Sequence, residues 1–576
     1  MQTIPQRFKE TAETYAHRPA LKYKYHGAYV SISFSDLAES VETLAKGLRA
    51  LGVSKGDRVA ILSENRPEWV RTDLAALTLG AVTVPVHTTL SPLIIRHILN
   101  DSGSKVLMVS SQEQFNKVAL VAGDLPELEA IIFLKLDHPE NFTAKKLLSL
   151  EAVMVLGKDA AALPAPDVAA EDLASLVYTS GTTAVPKGVM LTHRNFMFDA
   201  EAGVTALPVT ENDVLLSFLP LSHVLERTAG YYAPLVCRGC CIAYAESVKT
   251  LVSNLKEVKP TILVSVPRIF EKVHVGIWEK VKKGGRLKRR MFLWALKQEA
   301  GTTRHFFADH LVFKKIRASF GGRLRFTISG GATLNHKLAR FFARLGIVIT
   351  EGYGLTETAP VCTVNRLDNI KYGTVGQQLP GVEILIGRDK EILIKGPNVM
   401  AGYYRNEALT REVIDADGWF HTGDLGFLTN DGFLIIIGRK KEMISLSSGK
   451  IAWPEQLELI LNNDRFIVQS LITGDGRSYL TAVIIPDWPE VLNNLEIIGL
   501  ASREPAVLVK EEKLLAYFKE RVEKINGQLA DWEKIRKFVL AADEFTQEKD
   551  ELTPTLKLRR HVIEEHYQKE IDGMYQ

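Results

Sequence analysis

The stretch Tyr178 to Gly188, YTSGTTAVPKG, gathers hydroxyls, backbone amides and one cation in a single short loop. A β-like run, LVYT, enters it and Lys187 leaves it. The amides around Gly181, the hydroxyls of Thr179, Ser180, Thr182 and Thr183, and the Lys187 ammonium can therefore converge on phosphate oxygens. The chemistry this suits is cradling a polyphosphate. The loop is not GxxxxGK[ST], because Pro186 precedes the lysine and Gly188 follows it, so phosphate-loop NTPase chemistry is disfavoured.

Further motifs follow in order: FLPLSHVLER at 218–227, SVPRIFEKV at 265–273, ISGGATL at 328–334 and TEGYGLTETAP at 350–360. Then come GWFHTGDLG, FLIIIGRKKEMISLSSGKIAWPEQLE and LTPTLKLRR, the last at 552–560. With these, the chain resembles the adenylate-forming superfamily of acyl-CoA synthetases, adenylation domains and beetle luciferase, whose loop reads like TSGTTGxPKG. Essentially the whole chain is covered, and it looks most like the long-chain fatty acyl-CoA synthetases. The resemblance implies that ATP activates a long-chain fatty acid to acyl-AMP and that coenzyme A takes the acyl group.

A carboxylate driven onto the α-phosphate of ATP brings two anions together, so the site needs cations and a metal to spread the charge. By the resemblance, Lys187 and the loop hydroxyls serve the β- and γ-phosphates, Thr356 meets the α-phosphate, and Glu357 holds Mg²⁺. Gly331, Ala332, Gly352 and Tyr353 flank adenine. Asp424 accepts the ribose hydroxyls, with Arg439 reinforcing it. His223 sits beside the acyl carboxylate, and Lys557 bridges that carboxylate and the α-phosphate as catalyst of adenylation. Gly449 lines the pantetheine tunnel, and Lys441 is the hinge about which a mobile C-terminal domain turns. The loop departs from the family at Ala184, where glycine is common; alanine disfavours positive φ by roughly 1 kcal/mol. A stiffer loop with an altered ATP KM is the expected effect.

These residues need rigid elements behind them. Helical spacing alternates with short β-branched runs, and FSDLAESVETLAKGLRALG is the first clear helix, with Ser35 as its expected cap and Gly52 at its end. Strands are expected at 58–62, 82–86, 106–109, 131–134, 214–218, 262–266, 324–329 and 347–350. Continuous apolar strands between helices indicate an α/β fold with largely parallel sheets. After about residue 370, turns such as ADG and NDG mark a smaller β region with strands at 391–395 and 433–437. An N-terminal ATP- and acyl-binding domain over 1–439 and a small α+β catalytic domain over 440–576 are expected.

Composition limits the alternatives. A chain of 576 residues exceeds one core, and a formal charge of +3 is too mild for nucleic acid as the main partner. The polar start lacks the apolar core of a signal peptide, and no uncharged apolar run reaches the length of a membrane span, which predicts a cytosolic protein. CRGCC at 237–241 lacks partners for a zinc site and reads as structural. The basic stretch KVKKGGRLKRRMFLWALK at 280–297 has two readings: a surface helix burying Phe292, Leu293, Trp294 and Leu296, or peripheral contact with an anionic membrane. An acyl carrier protein as acceptor, another carboxylic acid as substrate, a luciferase-like oxygenase and a non-catalytic lipid-binding relative stay open beside the main reading.

Overall fold

A computed structural model describes residues 1–137, 145–163, 167–179, 185–299, 301–553 and 557–576. The chain divides into two compact units. The first comprises Met1–Leu385, Leu393–Thr422 and Leu428–Ile435; the second comprises Ile386–Ile392, Gly423–Phe427 and Ile436–Gln576.

Among its described residues the first unit holds two large sheets. In one, Ile349–Tyr353, Phe326–Ser329, Ile262–Ser265, Val214–Ser217, Cys241–Tyr244 and Pro19–Tyr25 lie side by side, all parallel. In the other, Leu173–Thr179, Val82–Val86, Arg58–Leu62, Val106–Val109, Ala130–Phe133 and Lys146–Ser149 are parallel, and Lys187–Thr192 and Gly402–Tyr403 add antiparallel strands at one edge. Val82–Val86 and Val106–Val109 are buried along their whole length, as strands covered on both faces must be. The fold is the α/β class expected; strands 58–62, 82–86 and 106–109 stand at their expected bounds, and the one expected at 347–350 runs Ile349–Tyr353.

The first long helix runs Phe34–Ala50, and its cap is Ser33, not Ser35. The Ser33 hydroxyl accepts from the Asp36 amide at 3.1 Å and the Asp36 carboxylate turns back on Ser33, a reciprocal capping box. Starting there buries Phe34, which a cap at Ser35 would leave outside the helix.

The end of the FLPLSHVLER motif is part of the core. Arg227 is fully buried, donates to Ser175 Oγ at 2.7 Å, to Tyr232 Oη at 2.9 Å and to Asp73, and so ties helix Pro67–Thr78 to the second sheet. Removing Asp73 would strand that cation, a loss of about 3–5 kcal/mol. The three cysteines of CRGCC are likewise buried, and burial pushes the Cys241 thiol up to about 11.

The basic stretch forms the end of helix Pro267–Lys283 and helix Gly285–Leu296. Phe292 is buried against Trp278 and Phe341, whereas Leu293 and Trp294 are exposed. The expectation that the helix hides all its apolar residues is corrected: one face packs and the other does not.

The second unit is α+β. Ile467–Thr473, Leu480–Pro486 and Ile535–Leu540 form a three-stranded sheet among the described residues. Helices Pro454–Leu461 and Glu512–Asn526 cover one face, with Leu457, Leu514 and Phe518 buried in the core between them. A short hairpin, Ile444–Ser445 with Ile451–Ala452, precedes them.

Candidate active site

In the first unit two of the expected phosphate-binding residues, Thr179 and Lys187, stand together at one end of the second sheet. Thr179 closes its strand and pairs across to Lys187, which opens the antiparallel return. Beyond Lys187, Val189 pairs with Tyr403. That pairing sets the Tyr403 ring under the Lys187 ammonium, 4.7 Å from the ring centroid. The Tyr403 hydroxyl donates to Glu357 Oε1 at 2.8 Å. Burial, and then the Glu357 carboxylate, push the Tyr403 phenol above its usual range, so it stays a donor. Ser180, Gly181, Thr182, Thr183 and Ala184 lie outside the described residues.

Glu357 and Thr356 stand in the short turn Thr356–Thr358, which its surroundings fix tightly. Thr228 Oγ1 donates to the Ala359 carbonyl at 3.0 Å, Asn398 Nδ2 to the Thr358 carbonyl at 3.2 Å, and the Met400 amide to the Glu357 carbonyl at 2.8 Å. Gly352 and Tyr353 end the strand Ile349–Tyr353, and Gly331 and Ala332 follow the neighbouring strand Phe326–Ser329. Both pairs therefore lie at the carboxyl ends of parallel strands, where open α/β sheets bind ligands. Gly331 has φ +81°, a conformation that favours glycine.

His223 is half-buried, and its Nδ1 accepts from the Leu225 amide at 3.2 Å, so the proton of the neutral ring is on Nε2. Its ring centre is 6.5 Å from that of His87, which bonds Ser222 Oγ at 2.7 Å from the end of strand Val82–Val86. Burial lowers His87 to about 4, so it is a neutral imidazole near neutral pH.

The second unit brings together Asp424, Arg439 and Lys557. Arg439 Nε lies 3.0 Å from Asp424 Oδ1, and the Asp424 side chain is only 6% exposed. The Lys557 amide donates to Thr553 Oγ1 at 3.0 Å and its carbonyl accepts from the Thr553 amide at 2.8 Å. Desolvation by the surrounding protein, and then the Arg439 cation, hold Lys557 below the usual lysine range against the opposing pull of Glu455, Asp424 and Glu442. Lys557 is nonetheless exposed over much of its surface, which tempers the shift. Lys441 is exposed in the turn Lys440–Glu442. Gly449 adopts φ +76° in the hairpin loop and nothing lies within 4 Å of where its Cβ would stand, so within this unit its backbone is what requires glycine.

A family model described as AMP-binding enzyme matches residues 8–404, and one described as the AMP-binding enzyme C-terminal domain matches 441–576. The chain belongs to the AMP-binding enzyme family. This AMP-binding enzyme is 35% identical to the long-chain-fatty-acid–CoA ligase FadD15 of Mycobacterium bovis, over 95% of this chain and 93% of that protein. It is 31% identical to the long-chain-fatty-acid–CoA ligase ACSBG2 of Homo sapiens, over 100% of this chain and 92% of that one. The A domain of carboxylic acid reductase from Segniliparus rugosus, solved with AMP and a co-purified carboxylic acid, shares its fold: TM-score 0.81 at 21% identity, over 100% of this chain and 94% of that one.

Sequence reasoning about this AMP-binding enzyme missed Tyr403, His87 and Arg560. Arg560, next to the LTPTLKLR run, bonds Glu458 and reaches Glu442 Oε2 at 3.2 Å, so it secures the turn that carries Lys441. Its place in the basic LRR run was the available signal. For Tyr403 the signal was the pair GYY close to the loop strand's register partner, which only the strand pairing reveals.

Proposed function

We propose that this AMP-binding enzyme joins a long-chain fatty acid to coenzyme A, using ATP and passing through acyl-AMP. The observation that carries the acyl class is the similarity to long-chain-fatty-acid–CoA ligases over 95% of the chain, spanning both units. The geometry at Lys187, Tyr403 and Glu357 supports the phosphate chemistry.

In the first step a carboxylate oxygen of the fatty acid attacks the α-phosphorus, the bond to the bridging oxygen breaks, and pyrophosphate leaves. Lys187, held over Tyr403, takes the β- and γ-phosphate charge, and Thr356 donates to the α-phosphate. Glu357 fits Mg²⁺: it is a hard oxygen donor in a turn fixed by neighbouring hydrogen bonds, with one oxygen held by Tyr403. The ion, when bound, would neutralise charge on the phosphates. Asp424 accepts the ribose hydroxyls while Arg439 holds its carboxylate, and Lys557 stands between the carboxylate and the α-phosphate. In the second step the CoA thiol gives up its proton to solvent, its sulfur attacks the acyl carbonyl, the mixed anhydride breaks, and AMP leaves; His223 borders the acyl group and Gly449 the thiol arm. Lys441 is the hinge between the two steps, and the two domains are those of 1–439 and 440–576.

Pyrophosphate release over fatty acids of increasing length, with and without CoA, tests this reading. Each buried methylene should lower KM about fourfold until the tunnel ends, and acyl-CoA should appear only with CoA present. Activity confined to amino or aryl acids would sink the fatty-acyl assignment. Acyl transfer only to an acyl carrier protein would replace the acceptor.

Helices Pro267–Lys283, Gly285–Leu296 and Thr303–Ala308 support peripheral contact with an anionic membrane. Residues 280–297 contain no Asp or Glu, and Leu287 is 82% and Phe306 60% exposed beside that basic run. No helix among the described residues is long and apolar enough to cross a membrane.

A further inference from the structure

Lys187 is gripped on both sides by one helix. His97 and Asp101 stand four residues apart on Pro92–Ser102 and so share a face. His97 Nε2 lies 3.1 Å from the Pro186 carbonyl oxygen, and since a carbonyl only accepts, Nε2 carries the proton. Asp101 Oδ2 accepts from the Tyr178 hydroxyl at 2.6 Å. Tyr178 is the cross-strand partner of Gly188, and a Cβ on Gly188 would come within 3.1 Å of the Tyr178 ring. One bond therefore holds the residue before Lys187, and the other holds the ring against which the residue after it rests.

The same helix end reaches the strand that brings Tyr403. Arg405 Nη1 donates to the Asp101 carbonyl at 3.0 Å, and the Tyr404 amide donates to the Gly188 carbonyl at 2.8 Å. The helix thus registers both the ammonium and the aromatic ring beneath it. His97 and Asp101 also line an open cavity of about 520 Å³ together with Leu93, Arg96, Asn100 and Asp124. Shortening either side chain enlarges a solvent-facing hollow and leaves no packed void.

We propose that His97 and Asp101 are positioning residues that set where the Lys187 ammonium stands, and through it the affinity for the polyphosphate of ATP. The inference rests on Lys187 serving the phosphates, as proposed above. The helix acts through the two hydrogen bonds that pin the strand ends.

The test uses the full chain with His97→Leu, His97→Gln, Asp101→Ala, Asp101→Asn and, as control, Lys187→Ala. Losing one such hydrogen bond should raise the KM for ATP about 5- to 10-fold, while kcat and the KM for fatty acid move less than about twofold. The dissociation constant of a fluorescent ATP analogue should rise by the same factor. His97→Gln keeps an N–H donor and Asp101→Asn keeps an oxygen acceptor, so both should recover most of the affinity. Unchanged ATP affinity in His97→Leu and Asp101→Ala, with affinity lost in Lys187→Ala, overturns the positioning role alone. Equal rises in both KM values with a lowered Tm, unrescued by Gln and Asn, also overturn it. If Lys187→Ala itself binds the analogue normally, the underlying reading of Lys187 fails instead.

Discussion

The Tyr403 hydroxyl donates to Glu357 Oε1 at 2.8 Å while its ring lies 4.7 Å from the Lys187 ammonium. One side chain therefore orients both the carboxylate that suits Mg²⁺ and the cation that suits phosphate. Tyr403→Phe keeps the ring and deletes the hydroxyl, so Glu357 loses its donor while Lys187 keeps its aromatic floor. The Mg²⁺ concentration for half-maximal adenylation should rise by about tenfold or more, as when the outer partner of a metal ligand is lost. Rate measured against free Mg²⁺ at saturating ATP decides this. An unchanged midpoint would mean that the hydroxyl only packs.

On the proposed role of Lys557 as the adenylation catalyst, its loss should separate the two half-reactions. Lys557→Ala should slow acyl-adenylate formation by about 10² to 10³ while thioester formation from supplied acyl-AMP survives. Its proton is held less tightly than that of an ordinary lysine, so in the wild type the alkaline fall of adenylation should begin below the usual lysine range. Pre-steady-state measurements of each half-reaction across pH provide the check. An equal loss in both would refute the assignment.

What could be read from sequence follows from what each residue must do. Lys187 stands in a run of hydroxyls and glycines that by itself suggests phosphate, whereas Glu357, Asp424, Arg439 and Lys557 were reached only through the resemblance of their motifs to the adenylate-forming family. The strands were legible because Val82–Val86 and Val106–Val109 are buried on both faces and so are apolar without interruption. Tyr403 was not, because GYY reads as a turn until strand pairing sets it beside Val189. His97 and Asp101 look like polar positions on a surface helix; only the approach of that helix to Pro186 and Tyr178 gives them a partner. Ser35 looked the better helix cap because local rules do not count the burial of Phe34.

Glu226 should leave a signature in stability. It is 1% exposed, its Oε2 has no hydrogen-bond partner among the described residues, and burial pushes its carboxyl up to about 8. The folded state therefore holds this proton more tightly than the unfolded chain. Its contribution is complete below the unfolded value of 4.5 and is lost as pH rises through about 8. Glu226→Gln removes that titration, so the urea midpoint should fall less steeply between about pH 5 and pH 8 than in the wild type. Parallel slopes for the two proteins would rule Glu226 out as the source.

The exposed apolar face of the basic helices carries the last prediction. Leu287, Trp294, Phe306 and Phe307 are exposed on Gly285–Leu296 and Thr303–Ala308, beside a run of lysines and arginines. Phe292 on the first of these helices is buried, which anchors that helix and leaves its outer side available. Basic residues near an anionic surface contribute about 1 kcal/mol each, within the Debye length, so the attraction should weaken steeply with salt. Exposed aromatic and aliphatic side chains should add a component that salt does not remove. The protein should therefore co-sediment with vesicles containing phosphatidylserine, and less with neutral ones. Raising the salt should release most of it, and Phe306→Ser with Phe307→Ser should remove the salt-resistant remainder without changing the KM for ATP. Binding to neither vesicle would return these helices to an ordinary solvated surface, and equal binding to both would refute the electrostatic attraction.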